Sequence, residues 1–176
     1  IGLDAISIAA ALIHDVVEDN SDHTLEKIKN EFGENITKIV DGLTKIGKLN
    51  TKGYSDVSIQ AENYRKMLLT LNEDVRVIII KIADRLHNMQ TLSSMPYEKQ
   101  IQKASETLYI YAPLAHRIGL YNIKTELEDL GLKYTDPDTY DEISEKLIES
   151  KKDQDEYIKK FNSIISSTLT KEKLKY

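Results

Sequence analysis

The chain of 176 residues contains no cysteine. Without thiols it can form neither a disulfide framework nor a thiolate zinc site, so its possible metal ligands are His, Asp and Glu side chains. Long apolar runs are missing as well, because the longest, "ISIAAALI" and "VIII", fall far below the roughly 20 residues that cross a bilayer. No basic segment typical of a signal peptide opens the sequence. We therefore expect a soluble, cytoplasmic protein without a membrane partner.

A surplus of basic residues is also lacking. Lysine and arginine number 24 against 29 aspartates and glutamates, which gives a formal net charge of −5. Nucleic-acid-binding domains usually carry a basic surplus, so we expect no direct nucleic-acid partner. A polyanionic ligand would have to meet local positive charge or a metal ion.

Glycine and proline are scarce, with 7 and 3 residues. Apolar residues recur at spacings of three and four almost throughout, whereas the alternation typical of strands is rare. This pattern predicts an all-α fold, and a hydrophobic content of 40% is sufficient for a sizeable core. The predicted helices cover residues 4–19, 25–32, 35–43, 57–71, 75–92, 97–119, 121–134 and 139–176.

One apolar stretch allows more than one structure, and another stretch predicts a loop. The apolar run "VRVIII" at 75–80 could form a strand, but Ile78 and Ile82 continue a helical spacing that favours a buried helix. The segment "TKIGKLNTKGYSD" at 44–56 has little periodicity and predicts a loop, which is the best candidate for a flexible lid.

Smaller features refine the predicted helices. Pro113 should kink or break the helix over 97–119. In the helix over 25–32, Phe32 is expected to share the buried stripe with Leu25 and Ile28.

The stretch "AALIHDVVED" at 10–19 crowds four ionisable side chains onto the end of an apolar helix. Helical spacing places His14 above Glu18 and Asp15 above Asp19, so one groove holds an imidazole and three carboxylates. Carboxylates at a helix C-terminus repel one another and interact unfavourably with the negative end of the helix dipole. We therefore expect a cation nearby to compensate their charge. The alternative is an ordinary helix end whose charges face water.

A further acid, Asp84 in "KIADRLHN", lies in the most hydrophobic predicted helix. A buried carboxylate needs a cationic partner or a metal ion. The alternative to a metal is a salt bridge to Lys81 or Arg85. Asn88 and Thr91 follow Asp84 at four and seven residues and extend a polar stripe along its face.

The other histidines receive no ligand role. His87 is expected to point about a third of a turn away from Asp84 and to be a hydrogen-bonded structural histidine rather than a ligand. His23 and His116 have no partners at ligand spacing.

Together the two acidic sites offer one imidazole and two carboxylates to a single cation, a set that suits Mn²⁺ or Fe²⁺. Such an ion would neutralise the acids and lower the pKa of a bound water. Glu18 and Asp19, one turn further along, are placed to move protons. The residues therefore indicate a metal-dependent hydrolase.

The adjacent His14 and Asp15 with the distant Asp84 resemble the HD superfamily of metal-dependent phosphohydrolases. Longer strings are more specific, and they resemble the RelA/SpoT homologue family over most of residues 3–134. These strings are "AALIHDVVEDN", "EFGENITKIVDGLTKI", "QAENYRKMLL", "VIIIKIADRLHNMQTL" and "ETLYIYAPLAHRIGLYNIKTELEDLGLKY". The resemblance implies an HD-domain helical bundle with a C-terminal helical connector.

Resemblance to this family also implies an activity. Members hydrolyse the alarmones ppGpp and pppGpp at the 3′ position to GDP or GTP and pyrophosphate, as part of stringent-response turnover. Mn²⁺ is the usual ion, and a Glu-Asp pair positions and activates the attacking water. The matching positions are the metal ligands His14, Asp15 and Asp84, the catalytic residues Glu18 and Asp19, and the substrate contacts Asn88 and Thr91.

Two parts of the family pattern have no counterpart in this sequence. A first metal-binding histidine and a basic substrate-binding segment precede the family's His-Asp pair, and residues 1–13 contain neither. Nothing after Tyr134 matches the synthetase domain of long members. We therefore expect a hydrolase domain over 1–134, lacking its N-terminal part, and a connector over 135–176 toward a synthetase domain of the same parent chain.

Two other functions remain open. The site could have decayed, as in synthetase-dominant relatives, leaving a catalytically inactive regulatory module. The chain could also be another HD phosphohydrolase, acting on deoxynucleotides or cyclic dinucleotides. The intact set of acids argues against the first alternative, and the long shared strings argue against the second.

Overall fold

The computed structural model describes residues 2–19, 24–47 and 74–171, and of Glu18, Asp19 and Asp153 only the backbone. These ranges are helical and contain no strand, which confirms the all-α prediction. A 3₁₀ turn (Leu92–Ser94) and a π-helical turn (Thr107–Tyr111) interrupt the α-helices. The α-helices are α1 (Ala5–Asp19), α2 (Leu25–Phe32), α3 (Glu34–Gly47), α4 (Val75–Gln90), α5 (Tyr97–Glu106), α6 (Ala112–Arg117), α7 (Tyr121–Thr135) and α8 (Pro137–Lys171).

The chain divides into two compact units, Ile1–Thr135 and Asp136–Tyr176. In the first unit, α3 packs against α1, α2 and α4, while α7 packs against α5, α6 and the π-helical turn. Burial of each large aliphatic side chain stabilises such a core by roughly 1.5–3 kcal/mol. The fully buried aliphatic residues include Ile39, Leu43, Ile78, Ile82, Leu92, Leu114 and Leu127.

The helix α4 lies in the middle of this unit. Asp74 caps its N-terminus by accepting a hydrogen bond from the Arg76 amide at 3.0 Å. α3 and α7 both pack on this helix, and its buried residues include Val77, Ile78, Ile80 and Ile82. The helical prediction for "VRVIII" is confirmed, and the strand alternative is wrong.

Two predictions about α2 and α3 are wrong in part. Phe32 is 44% exposed at the end of α2, whereas Ile28 alone is fully buried there. The predicted loop over 44–56 starts too early, because α3 continues to Gly47. In this extension Ile46 is buried, and Thr44 Oγ1 donates to the Val40 carbonyl at 3.0 Å. The rest of that loop and the predicted helix over 57–71 lie outside the described residues.

The helix predicted over 97–119 is interrupted, but not at Pro113. The π-helical turn at Thr107–Tyr111 separates α5 from α6, and Pro113 occupies the first turn of α6. The helical path is continuous here, because the Ala112 amide donates to the Thr107 carbonyl, and Pro113 lacks only the amide hydrogen that would reach a carbonyl of the π-helical turn. Gly119 ends the segment with φ +80°, a conformation that favours glycine.

In the second unit the structure describes α8, a charged helix of 35 residues. Most apolar side chains of this helix are exposed within the unit: Leu147 is 64% accessible and Tyr157 is 70% accessible. The rings of Tyr157 and Phe161 stack at 6.3 Å between centroids. In the part of the chain that the structure describes, every helix is too short or too polar to cross a membrane.

Candidate functional site

A cleft of about 450 Å³ lies between α1 and α4. Its α1 wall is largely apolar and ends at His14 and Asp15. Its α4 wall carries Ile80, Ala83, Asp84 and His87. Clefts of this size are typical of small-molecule sites. The structure therefore brings the predicted ligands from both helices to one cavity.

The imidazole of His14 is buried, with 5% of the residue accessible. Its Nδ1 lies 2.8 Å from the Ala11 carbonyl. A carbonyl can only accept, so Nδ1 carries a proton, and this hydrogen bond selects the neutral tautomer in which Nε2 offers a lone pair. That Nε2 has no hydrogen-bond partner among the described residues, although Asp15 Oδ1 lies 2.9 Å away. The distance between these two atoms is short, but their arrangement does not meet the geometry of a hydrogen bond. The Nε2 atom of His14 and the carboxylate oxygen of Asp15 therefore face the same space.

Asp84 is half-buried and held by two partners on its own helix. Its Oδ1 accepts a hydrogen bond from Asn88 Nδ2 at 3.2 Å, and its Oδ2 lies 3.6 Å from Lys81 Nζ. The salt bridge that the sequence offered as an alternative to a metal thus exists, with Lys81. Arg85 points elsewhere, to a partner on α5.

The three predicted ligands do not form a closed metal site. Among the described residues, no three His, Asp or Glu side chains are grouped closely enough to hold one ion. The orphaned Nε2 of His14 beside the Asp15 carboxylate nevertheless fits a hard or borderline cation, since a neutral imidazole and a carboxylate are ligands that such ions accept. The hydrogen bond that Nδ1 donates to the Ala11 carbonyl selects the tautomer that a metal-binding histidine needs.

The remaining predicted site residues lie on the same helices. Glu18 and Asp19 belong to the last turn of α1, and their side chains lie outside the described residues. Asn88 is exposed and holds Asp84. Thr91 caps the C-terminus of α4, and its hydroxyl donates to the His87 carbonyl at 3.1 Å. The lining of the cleft includes neither Asn88 nor Thr91.

His87 lies three residues after Asp84 on the same helix, and its exposed side chain lines the same cleft. The structural role expected for it stays a prediction. The (i, i+3) relation to Asp84 was the signal that could have assigned it to the site. Sequence reasoning also omitted Ser7, which is buried on the α1 wall.

Behind Asp84, an ion pair buried in the core fixes the other face of α4. Arg85 Nη2 donates to Glu106 Oε2 at 2.8 Å, and Glu106 is only 1% accessible. The Arg85 guanidinium also lies 4.2 Å from the ring centroid of Tyr111. Burial alone would lower the pKa of Arg85, but Tyr111 and Glu106 outweigh it and raise that pKa. This anchorage helps to direct Asp84 and His87 toward the cleft.

Comparison with known proteins gives one family match and several relatives. The family model described as "HD domain" matches residues 1–121, a range that contains both walls of the cleft. An Aquifex aeolicus protein named guanosine-3′,5′-bis(diphosphate) 3′-pyrophosphohydrolase is 48% identical over 161 residues, which are 92% of this chain and 22% of that protein.

Two further relatives have related names. A Synechocystis protein named probable guanosine-3′,5′-bis(diphosphate) 3′-pyrophosphohydrolase is 42% identical over all of this chain and 23% of its own length. A Myxococcus xanthus protein named GTP pyrophosphokinase is 44% identical over 98% of this chain and 23% of its own length. The chain spans about a quarter or less of the curated relatives it matches.

Proposed function

Since the chain belongs to the HD domain family and, within it, to the RelA/SpoT homologues, we propose that it forms a guanosine 3′,5′-bis(diphosphate) 3′-pyrophosphohydrolase domain. The substrates are ppGpp and pppGpp, and the products are GDP or GTP and pyrophosphate. The hydrolase domain covers residues 1–134, and residues 135–176 form a connector. The hydrolase names of two relatives support this proposal.

The main support for the proposal is the arrangement of His14 and Asp15 in the cleft. The buried, unpartnered Nε2 of His14 faces the Asp15 carboxylate in the cleft that Asp84 lines from the opposite wall. A buried nitrogen without a hydrogen bond is costly, so its persistence favours a ligand at this point. The ligand chemistry that a lone pair and a carboxylate share is a metal cation.

The residues that would hold this ion are His14, Asp15 and Asp84, and the mixed nitrogen and oxygen set suits Mn²⁺. When bound, Mn²⁺ supplies Lewis-acid chemistry toward water and phosphate oxygens. Asp84 would supply the carboxylate on the α4 wall, where its Oδ2 lies near Lys81 Nζ and its Oδ1 accepts from Asn88.

The chain's other residues have roles in binding and proton movement. Glu18 and Asp19 would position the attacking water and accept its proton. Asn88 and Thr91 would contact the nucleotide. Hydrolysis places the hydroxyl of water on the released pyrophosphate and returns a proton to the ribose 3′ oxygen, so no oxidant or second substrate is needed.

A substrate panel tests the proposal. The full-length protein is incubated with Mn²⁺ and guanosine tetraphosphate, a deoxynucleoside triphosphate or a cyclic dinucleotide, and each product is identified by chromatography. We expect pyrophosphate and GDP from the tetraphosphate alone. Turnover confined to a deoxynucleotide or a cyclic dinucleotide would assign the cleft to another HD phosphohydrolase.

A second candidate is an inactive regulatory module of a synthetase. The observation that favours it is the engagement of Asp84 by Lys81 and Asn88 together with the absence of a three-ligand group among the described residues. This candidate predicts no Mn²⁺ binding by the full-length protein, whereas the hydrolase requires it.

The proposed partner is a synthetase domain of the same parent chain. The GTP pyrophosphokinase name of the Myxococcus xanthus relative supports it, as does the small share of each relative that this chain covers. The cytoplasmic location expected from the sequence stays a prediction.

A further inference from the structure

Arg76 connects the beginnings of the two helices that form the cleft. Its Nε and Nη2 donate to the two carboxylate oxygens of Asp74, at 3.0 and 2.7 Å. Its Nη1 donates to Asp4 Oδ2 at 3.0 Å, across 72 residues of sequence. One planar guanidinium therefore spans two carboxylates from distant parts of the chain.

Both carboxylates belong to helix caps. Asp4 Oδ1 accepts from the Ser7 amide at 2.8 Å at the start of α1, and Asp74 Oδ1 accepts from the Arg76 amide at the start of α4. The hydrogen bonds from Ser7 lower the pKa of Asp4, and those from Arg76 lower the pKa of Asp74, so both stay charged. A capping side chain is fixed to its helix, and the guanidinium is therefore bound to the helix ends rather than to mobile side chains.

The candidate ligands lie at equal distances from these caps. His14 follows Asp4 by ten residues, and Asp84 follows Asp74 by ten residues. At 1.5 Å per residue, each ligand lies about 15 Å along its helix from the capped end. One group joins the two starting points, and the ligands that follow at these equal distances line the same cleft.

We propose that Arg76 is a positioning residue that sets the axial register of α1 against α4, and thereby the approach of Asp84 to the His14–Asp15 pair. The inference rests on the proposed function, because it assigns Arg76 to the geometry of that metal site. The alternative is a surface ion pair with no effect on the cleft, which many exposed pairs are.

The variant Arg76→Lys tests the register. Lysine keeps the charge but is a single point donor, so it cannot bind both carboxylates with the fork of the guanidinium. In the full-length protein, we expect the Mn²⁺ dissociation constant, measured by calorimetry, to rise about tenfold or more, as for other residues that orient metal ligands. We also expect kcat to fall while KM for the tetraphosphate changes little. An unchanged Mn²⁺ dissociation constant would overturn the proposal.

Two further variants distinguish a specific effect on the metal site from a general folding defect. Asp4→Asn keeps the cap on α1, because asparagine also accepts from the Ser7 amide, but it weakens the bond to Arg76. It should lower Mn²⁺ affinity in the same direction as Arg76→Lys. The matched control is Lys146→Ala, which removes an exposed ion pair with Glu142 in α8 and should leave Mn²⁺ affinity unchanged. Equal effects of Lys146→Ala and Arg76→Lys would contradict a specific register role.

A distance measurement separates this inference from the proposed function. The chain has no cysteine, so Leu12→Cys and Ala83→Cys introduce one spin label on each wall of the cleft, with any cysteine outside this chain replaced. We expect Arg76→Lys to shift or broaden the spin–spin distance measured without metal. An identical distance would refute the register role. If the wild-type protein releases no pyrophosphate but the distance still shifts, the proposed function fails and the register role stands.

Discussion

The buried imidazole of His14 has one nitrogen engaged and the other available. Its Nδ1 proton is held by the Ala11 carbonyl, and its Nε2 faces Asp15 without a hydrogen bond. The states of both nitrogens follow from the position of His14, which lies on the buried side of α1 just before the acidic residues that end this helix. A single histidine thus provides the most specific chemical signal in the cleft.

At the same scale, the buried ion pair behind the site predicts a large loss of stability on truncation. Glu106→Ala would leave the Arg85 guanidinium buried and without its carboxylate, which typically costs about 3–5 kcal/mol. Unfolding in urea measures the change. The control Glu128→Ala removes a more exposed pair with Lys124 and should have little effect. Equal losses for the two variants would contradict the role given to Arg85.

Some of these residue roles could be predicted from sequence, and others could not. His14 and Asp15 are adjacent, and Asp84 interrupts an apolar helix, so their chemistry is visible locally. The partner of Arg85 lies 21 residues away and the second partner of Arg76 lies 72 residues away, beyond any helical periodicity. Such pairs are decided by packing and carry no local signal.

At the scale of helices, the cap of α4 predicts a dependence of stability on pH. Hydrogen bonds from Arg76 hold the pKa of Asp74 below its ordinary value. A carboxyl with a lowered pKa stabilises the folded state above the pKa of the unfolded chain, about 3.9, and this stabilisation is lost as the pH falls through the folded value. Asp74→Asn keeps the cap without the charge.

We therefore expect the difference in unfolding free energy between the wild type and Asp74→Asn to be constant near neutral pH and to shrink below about pH 4. Urea unfolding at a series of pH values measures it. A difference that stays the same down to pH 3 would show that the ionised form of Asp74 does not contribute to stability.

The contact between α7 and the π-helical turn predicts a second effect at this scale. A Cβ at Gly131 would lie 2.5 Å from Leu108 Cδ2, so Gly131→Ala should destabilise the fold by about 1–3 kcal/mol, although alanine is the better helix former. Adding Leu108→Ala removes the clash and should abolish the penalty of the alanine at 131. Thermal unfolding of the four combinations tests this, and a stabilising Gly131→Ala would contradict the close approach.

The helices also show which structural features the spacing of apolar residues can predict and which it cannot. The spacing of Ile78 and Ile82 correctly indicated a helix, because burial on several sides only adds apolar residues to a helical pattern. The π-helical turn before Pro113 was missed, because one extra residue in a turn leaves the apolar spacing almost intact. The exposure of Phe32 depends on which other elements pack around α2, and the sequence of α2 alone carries no information about them.

At the scale of the whole molecule, the division at Thr135 and Asp136 predicts independent folding of the first unit. A chain that ends at Thr135 should keep the helical circular-dichroism signal per residue and the unfolding midpoint of the longer chain, because the buried core lies in the first unit. A large drop of the midpoint would show that α8 contributes to the stability of that core.

The most direct test of the central claim is Mn²⁺-dependent pyrophosphate release from guanosine tetraphosphate by the full-length protein and two aspartate variants. Asp84→Ala removes the proposed ligand on the α4 wall, and Asp129→Ala removes an exposed carboxylate of α7 outside the cleft lining. We predict release by the wild type and by Asp129→Ala, and a loss of about 100-fold or more for Asp84→Ala. Full activity of a folded Asp84→Ala protein, or no release by the wild type with Mn²⁺ present, would contradict the account.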